Sequence, residues 1–323
     1  MPDFNVDTTV SEVVEAFGIH AVGKTFIITG PSAGGIGAIA ALALASANPK
    51  RLVLAGRSRS KAQPVIDDIA NISNIVTVVT FVELDLSNLS SVREAATKIK
   101  EATPDGIDGL YNNAGIMALL EFRKSVDGVE LQFATNHLGH FLLTNLLLPD
   151  IGKVNGIVVN ATSRCWKLTD PDYDDVNFQD GKTYHGWIAY SRSKIANIHF
   201  SIALAKRVQK LGIAVFAVDP GLAMDSNLIN NSGIDNEWFG ECFRIATERD
   251  NGKIPDQAFI NLQQAAATPM LALLDPALRE SSGSYLEECQ LSYATLADYA
   301  KRPENAEKLW GVSEKLVGDT FSL

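Results

Sequence analysis

The chain has 323 residues, 46% hydrophobic and 20% charged, with 28 Lys and Arg against 38 Asp and Glu for a formal charge of −10. That acidity argues against a nucleic-acid partner, which calls for a basic patch, and the length allows one large α/β domain with an ample core. Three widely spaced cysteines, Cys165, Cys242 and Cys289, suggest neither a disulfide framework nor a zinc knuckle and point to a reducing compartment.

Residues 1–23 are acidic and polar, lack a basic segment followed by an apolar run, and read as an N-terminal arm rather than a secretory signal. From residue 24 onward, short β-branched runs alternate with helical patterns. KTFIITG (24–30), RLVLAG (51–56), VTVVTFVEL (76–84), IDGLYNNAG (107–115), NGIVVNATS (155–163) and IAVFAVDPG (213–221) read as strands. Between them lie helical patterns. GIGAIAALALASA (35–47) is Ala-rich, KAQPVIDDIANI (61–72) carries Pro64 in its first turn, and SNLSSVREAATKIKEA (87–102) has Ser87 placed to cap it. Two longer helices cover 131–148 and 187–211, and a further helix, a seventh strand and a C-terminal helix near 304–316 complete the chain. Apolar runs without alternation are what a parallel sheet covered on both faces produces. Repeated β–α alternation predicts an α/β fold with a doubly wound parallel sheet, the Rossmann fold, in a single domain over 24–323. Polar, aromatic-flecked segments near 165–186 and 224–268 break the rhythm. Both follow strand ends and are expected to cover a substrate. No stretch reaches the ~18 apolar residues of a membrane span; FLLTNLLLP (141–149) is too short. A soluble, cytoplasmic protein is expected.

Two patterns carry chemistry. TGPSAGGIG (29–37) puts glycines at 30, 34, 35 and 37 between a strand and a helix. Glycine permits positive φ and lets backbone amides approach a pyrophosphate at a helix N terminus. Tyr190 and Lys194 sit one helical turn apart in AYSRSK. An ammonium at that range is expected to lower the phenol's pKa and make it an acid–base group for a carbonyl or alcohol. The second strand ends in Gly56-Arg57-Ser58-Arg59, where an NAD site usually carries an acid. Glycine leaves room there, and Arg57 above all is suited to a 2′-phosphate, which favours NADP(H).

In order, TGPSAGGIG, Asp85-Leu86, NNAG (112–115), NHLGHF (136–141), NATS ending at Ser163, YSRSK (190–194) and Pro220-Gly221 resemble the short-chain dehydrogenase/reductase family, closest to its retinol-dehydrogenase-like and WW-domain-oxidoreductase-like branch. The resemblance covers about 24–228. It implies an NADP(H)-dependent oxidoreductase that interconverts a ketone or aldehyde with its alcohol; the aromatic-bearing insertions point to a bulky, apolar small-molecule substrate. Gly30, Ser32, Gly35, Ile36 and Gly37 would hold the cofactor's pyrophosphate and Asp85 its adenine, with the Leu86 backbone nearby. Asn113, Ala114 and Gly115 would line the ribose, and Pro220 and Gly221 would face the nicotinamide. By the same resemblance Asn136 would hold a water that relays protons to Lys194, and Ser163 would orient the substrate carbonyl. Tyr190 would donate the proton. Lys194 would bind the nicotinamide ribose while lowering the Tyr190 pKa. Family members often pair through their two long helices, so a homodimer is possible.

The chain departs from the pattern in two places. Four residues instead of three separate Gly30 from Gly35, and Asp225 or Ser226 stands where the family has a nicotinamide-contacting threonine. Other functions stay open: an NADP-sensing regulator without turnover, or an epimerase or dehydratase of the nucleotide-sugar branch. His137 and His140 read as packing beside Asn136 rather than metal ligands, and Cys165 as a wall residue. Trp187, Trp238, Phe239 and Phe243 suit either a substrate pocket or ordinary core.

Overall fold

A computed structural model describes residues 3–74, 76–230, 233–253 and 258–322. Strands β1 (Thr25–Thr29), β2 (Arg51–Gly56), β3 (Val78–Glu83), β4 (Gly109–Asn112), β5 (Ile157–Ala161) and β6 (Ala214–Asp219) form where the unbroken apolar runs stand. Every residue of β1, β4, β5 and β6 is buried, as both-face coverage requires. Helices α1 (Val10–Phe17), α2 (Ile36–Ser46), α3 (Arg59–Ala70), α4 (Leu89–Ala102), α5 (Leu131–Phe133), α6 (Gly139–Gly152) and α7 (Gly186–Val208) accompany them. After β6 come β7 (Leu222–Ala223), α8 (Asn227–Asn230), α9 (Asn236–Arg249), β8 (Phe259–Ile260), α10 (Leu262–Ala265) and α11 (Ala267–Leu274). The chain closes with β9 (Tyr285–Glu287), β10 (Gln290–Leu291), α12 (Asp298–Lys301) and α13 (Pro303–Val317).

The main sheet runs β10-β9-β6-β5-β4-β1-β2-β3. All its neighbours are parallel except the β9–β10 hairpin at one edge. One apolar layer sets α4, α6, α7 and α13 against the sheet, and the other sets α1, α2, α3 and α11 against its opposite face. This is the doubly wound Rossmann architecture expected from the β–α rhythm.

In the N-terminal arm, Thr9 and Glu12 form a capping box that starts α1, and Val10 and Val13 are buried in the core. Three local expectations change. Asn88, not Ser87, caps α4 through bonds from the Ser90 and Ser91 amides, because Asp85 already holds Ser87 by its N–H and hydroxyl. Pro64 falls beyond the first turn of α3, since that helix starts at Arg59. The long helix over 131–148 is broken by a π turn, Ala134–Leu138, centred on Asn136.

The two long helices are covered within the chain. Trp310 of α13 packs edge-on against Phe141 at 5.0 Å and lies under the Arg207 guanidinium at 4.0 Å. Ala306, Leu309 and Trp310 join the same apolar layer as Phe200, Ala203 and Leu204 of α7. Among the described residues no helix is long and apolar enough to cross a membrane.

Candidate active site

The strand order reverses between β1 and β4, and open α/β sheets take their ligands at such a switch point. The glycine loop leaves β1 there. Gly30 has φ +71°, and a Cβ on it would stand 2.9 Å from the Ala114 Cα; one on Gly37 would stand 2.5 Å from the Gly30 carbonyl oxygen. Loop, helix and the turn after β4 therefore meet closely around the Asn113 side chain, with no room for a Cβ at Gly30 or Gly37. Helix α2 starts at Ile36 after Gly35 with no side-chain cap, so its first-turn amides have no side-chain acceptor, as an anion site requires. Within the loop the Gly35 amide bonds the Ser32 carbonyl at 3.1 Å.

The additional loop residue has a structural use. Gly34, at φ +73°, accepts from the Asn227 amide at 2.8 Å, while the Asn227 side chain donates to the Ala33 carbonyl at 2.7 Å. A Cβ on Gly34 would lie 2.3 Å from that side chain. The segment after β7 is thus seated on the glycine loop, and no local sequence signal marks Asn227 for this. Of the two residues before it, Ser226 is buried and caps Leu228, whereas Asp225 is exposed and accepts from the Leu262 amide.

A polar knot ties β1 to β4. The Thr29 hydroxyl accepts from the Asn113 and Ala114 amides at 2.9 and 3.0 Å, and the Asn113 side chain donates to the Thr29 carbonyl at 2.9 Å. Farther along, Asp85 uses one carboxylate oxygen on Ser87, and Leu86 is buried where Gly139 lets the long helix approach its carbonyl. Arg57 is exposed at the end of β2, and among the described residues nothing pairs with it. Arg59 points elsewhere, over the Phe81 ring at 5.9 Å.

Asn136, Ser163, Tyr190 and Lys194 come together beyond the ends of β4 and β5. Asn136 Oδ1 accepts from the Ile116 amide at 2.8 Å, and its Nδ2 donates to the Ile116 carbonyl and to Ser193 Oγ, both at 2.9 Å. The side chain is therefore committed, and the π turn leaves the Asn136 main-chain carbonyl to accept from Asn197 Nδ2 at 3.1 Å. Asn197 also donates to the Ala161 carbonyl at 2.8 Å, which Lys194 Nζ reaches at 3.3 Å. Asn197 thus bridges the Asn136 carbonyl to the group that holds Lys194. It lies three residues past Lys194, a spacing that could have singled it out. Gly115 sits beside both: a Cβ there would be 3.1 Å from Asn136 Oδ1 and 3.7 Å from Lys194 Nζ. Ser163 starts a short 3-10 turn, Arg164–Leu168, and accepts from the Cys165 amide at 3.3 Å.

The electrostatics correct one expectation. Lys194 does not bring Tyr190 down. Burial pushes the phenol well above its ordinary value, the charges of Cys165, Asp219 and Cys242 add to the rise, and the Ser163 hydroxyl acts the other way. Burial also lowers Lys194, to about 8. Its ammonium points at the Ala161 carbonyl and lies 5.5 Å from the centre of the tyrosine ring. Desolvation of a fully enclosed phenol outweighs a single cation at that range.

The aromatic residues divide between core and wall. Trp187 is buried and packs edge-on to Tyr190 at 6.2 Å; its indole donates to the Trp238 carbonyl, and the Trp238 indole donates to the Ala118 carbonyl. Trp238 and Phe239 are half-buried and form an apolar wall with Met117, Leu168 and Ile245 beside Tyr190, while Phe243 packs tilted against Phe239. This wall comes mainly from α9 in the second insertion, of which residues 231–232 and 254–257 lie outside the described residues. The first insertion contributes Cys165 and Leu168 and then turns away. Its Tyr173 bonds His199 at 2.6 Å, and its Phe178 packs on Tyr184 under Arg192.

After β6, Pro220 and Gly221 follow a buried Asp219, whose Oδ1 accepts from the Gly221 amide at 3.0 Å. Arg164, next to Ser163, reaches Asp219 at 3.4 Å and Glu287 at 3.1 Å and pairs with Glu288. It ties the serine turn to the edge strands. His137 and His140 are buried and hydrogen-bonded, the first to Ser313 and the second to Thr29 and the Asn136 carbonyl. Among the described residues no group of three or more His, Cys, Asp or Glu side chains is placed to hold a metal ion.

A doubly wound sheet with a glycine loop at its point of reversal defines the Rossmann type of α/β protein. Comparison with known proteins narrows the class. The short chain dehydrogenase family model matches residues 24–171. Retinol dehydrogenase 13 of Homo sapiens is 35% identical over 302 residues, covering 92% of this chain and 85% of that protein. Short-chain dehydrogenase TIC 32 A, chloroplastic, of Brassica napus is 33% identical over 93% of this chain and 90% of its own. A crystal structure of an uncharacterized protein from Mycobacterium paratuberculosis superposes with TM-score 0.69 at 29% identity, covering 94% of this chain and 96% of that one. The chain belongs to the short-chain dehydrogenase/reductase family of oxidoreductases, in its retinol-dehydrogenase-like branch, a family that uses a nicotinamide cofactor.

Proposed function

We propose that the chain is an NADP(H)-dependent oxidoreductase that interconverts an apolar ketone or aldehyde with its alcohol, and that it serves as a carbonyl reductase. The observation that carries this reading is Tyr190. It is a buried phenol that remains protonated at neutral pH, set between the Ser163 hydroxyl and an apolar wall. Bound NADPH supplies a hydride to the carbonyl carbon. Negative charge then grows on the substrate oxygen, where the Tyr190 and Ser163 hydroxyls stabilise it, and Tyr190 gives up its proton. Lys194, beside Gly115, would hold ribose hydroxyls, and Asn136 and Asn197 fix the carbonyl that orients it. Asp85, Leu86, Asn113 and Ala114 would line the adenosine side, with Pro220 and Gly221 at the nicotinamide end.

Preference for NADP(H) is supported by Arg57, an exposed guanidinium that no described residue pairs with, beside a glycine at the strand end, where an acid would repel a phosphate. An apolar substrate is supported by Trp238, Phe239, Met117 and Leu168, and the relatives' names make retinol and its aldehyde members of the test set. A cytoplasmic location belongs to the same reading, supported by three free thiols. Pairing through the long helices is not part of it, since α13 occupies that face. The test is a panel of aliphatic, aromatic and polyene aldehydes and ketones with NADPH and NADH in parallel, followed by absorbance. Cofactor binding without consumption across the panel would leave a sensor. Cofactor retained while a sugar nucleotide changes would leave an epimerase or dehydratase.

A further inference from the structure

Cys165 and Cys242 stand 77 residues apart in sequence, yet their sulfurs lie 3.9 Å apart, both half-buried, on the wall beside Tyr190. Cys165 belongs to the turn that Ser163 opens; Cys242 lies on the inner side of α9. We infer that these two cysteines form a redox-responsive dithiol, which a peroxide joins as a disulfide and a small thiol reductant parts again. A disulfide needs about 2.05 Å between sulfurs, so they must close by roughly 2 Å. The side that moves is α9. It contains no fully buried residue, and it rests on the turn through partly buried side chains.

The chemistry assigns an order. Cys165 is shifted toward thiolate, first by the hydrogen bond from Cys242, with help from Ser163 and the Lys194 charge, while Cys242 is held as the thiol. The Cys165 thiolate attacks the peroxide; an S–O bond forms, the O–O bond breaks, and hydroxide leaves to become water. Cys242 sulfur then attacks the sulfenic sulfur of Cys165. The S–S bond forms, the S–O bond breaks, and the hydroxyl departs with the Cys242 proton as a second water. Two thiols lose two electrons and two protons, and one peroxide becomes two waters. The bond would bolt α9 to the turn carrying Ser163 and hold the wall across Tyr190. That consequence for turnover rests on the function proposed above; the oxidation itself does not.

Titrating the reduced protein with hydrogen peroxide tests the inference, with thiols counted after denaturation and peptides mapped by mass. The three thiols should fall to one, with the Cys165 and Cys242 peptides linked, Cys289 free and the change reversed by dithiothreitol. Hydrogen exchange across Asn236–Arg249 should slow in the oxidised protein and stay unchanged in Cys242→Ser. Should that variant fail to fold, Cys165→Ala must instead leave Cys242 as a free thiol under the same treatment. Three persistent thiols, oxidation of Cys165 without a link, or a link that includes Cys289 would overturn the site. A disulfide that forms without slowing exchange or lowering turnover of a substrate found in the panel would overturn the pinning. An inactive panel would count against the enzyme reading alone.

Discussion

Asn136 grips both polar groups of a single residue: its carboxamide accepts from the Ile116 N–H at 2.8 Å and donates to the Ile116 carbonyl at 2.9 Å. A carboxamide matches a peptide group in this way because it carries a donor and an acceptor side by side. The clamp holds the chain just past Gly115, and with it the floor under Lys194. Asn136→Ala removes three hydrogen bonds of a buried side chain and leaves partners unsatisfied, so it should cost about 3 kcal/mol of stability. Asn136→Asp keeps the acceptor but neither donor and should be no better. Urea midpoints at constant m compare the three proteins; an unchanged midpoint would show that the clamp contributes nothing.

Tyr190→Phe should abolish carbonyl reduction while NADP(H) still binds, as read by cofactor fluorescence. Because burial raises the phenol well above its ordinary value, it stays protonated through neutral pH, and reduction should show no inflection from it below pH 8. Oxidation of the alcohol needs the phenolate and should speed up as pH rises. An inflection near 8 in cofactor affinity is expected from Lys194, whose ammonium is lost there, and Lys194→Arg should remove it. Equal pH profiles in the two directions would contradict the assignment.

Arg57→Asp replaces an exposed guanidinium with a repelling charge beside the expected 2′-phosphate. NADPH affinity should fall by about 10–100-fold, the worth of a charge-assisted hydrogen bond, while NADH affinity stays within about twofold. Parallel losses for both cofactors would remove Arg57 as the discriminating residue.

Acid should unfold this protein through its buried imidazoles. Burial holds His137 at about 3 and His140 and His199 at about 4, against an ordinary 6.5. Between those values the unfolded chain binds protons that the native one refuses. Their contribution is whole above pH 6.5 and is lost as pH falls through 4. Glu130 works the other way: burial raises it to about 7, and its contribution is present below 4.5 and lost as pH rises through 7. Asp219, also raised by burial, sides with Glu130, but three imidazoles stand against two carboxyls, so stability should fall on net from pH 6.5 to 4. His137→Gln should flatten that slope in urea titrations at pH 7 and pH 5; an unaltered slope would show that the buried ring does not drive it.

Local pattern alone determined the alternation of covered strands and helices, the glycine loop and the Tyr190–Lys194 spacing, because each depends on residues within a few positions of one another. Tertiary structure decided what depends on distant partners. It set Asn227 on Gly34, turned the N-terminal residues into a packed helix, laid α13 over the long helices and brought Cys242 to Cys165. It also decided the protonation of Tyr190. Neighbouring charge can be read from spacing, but desolvation depends on everything that encloses a group, and only the folded chain supplies that enclosure.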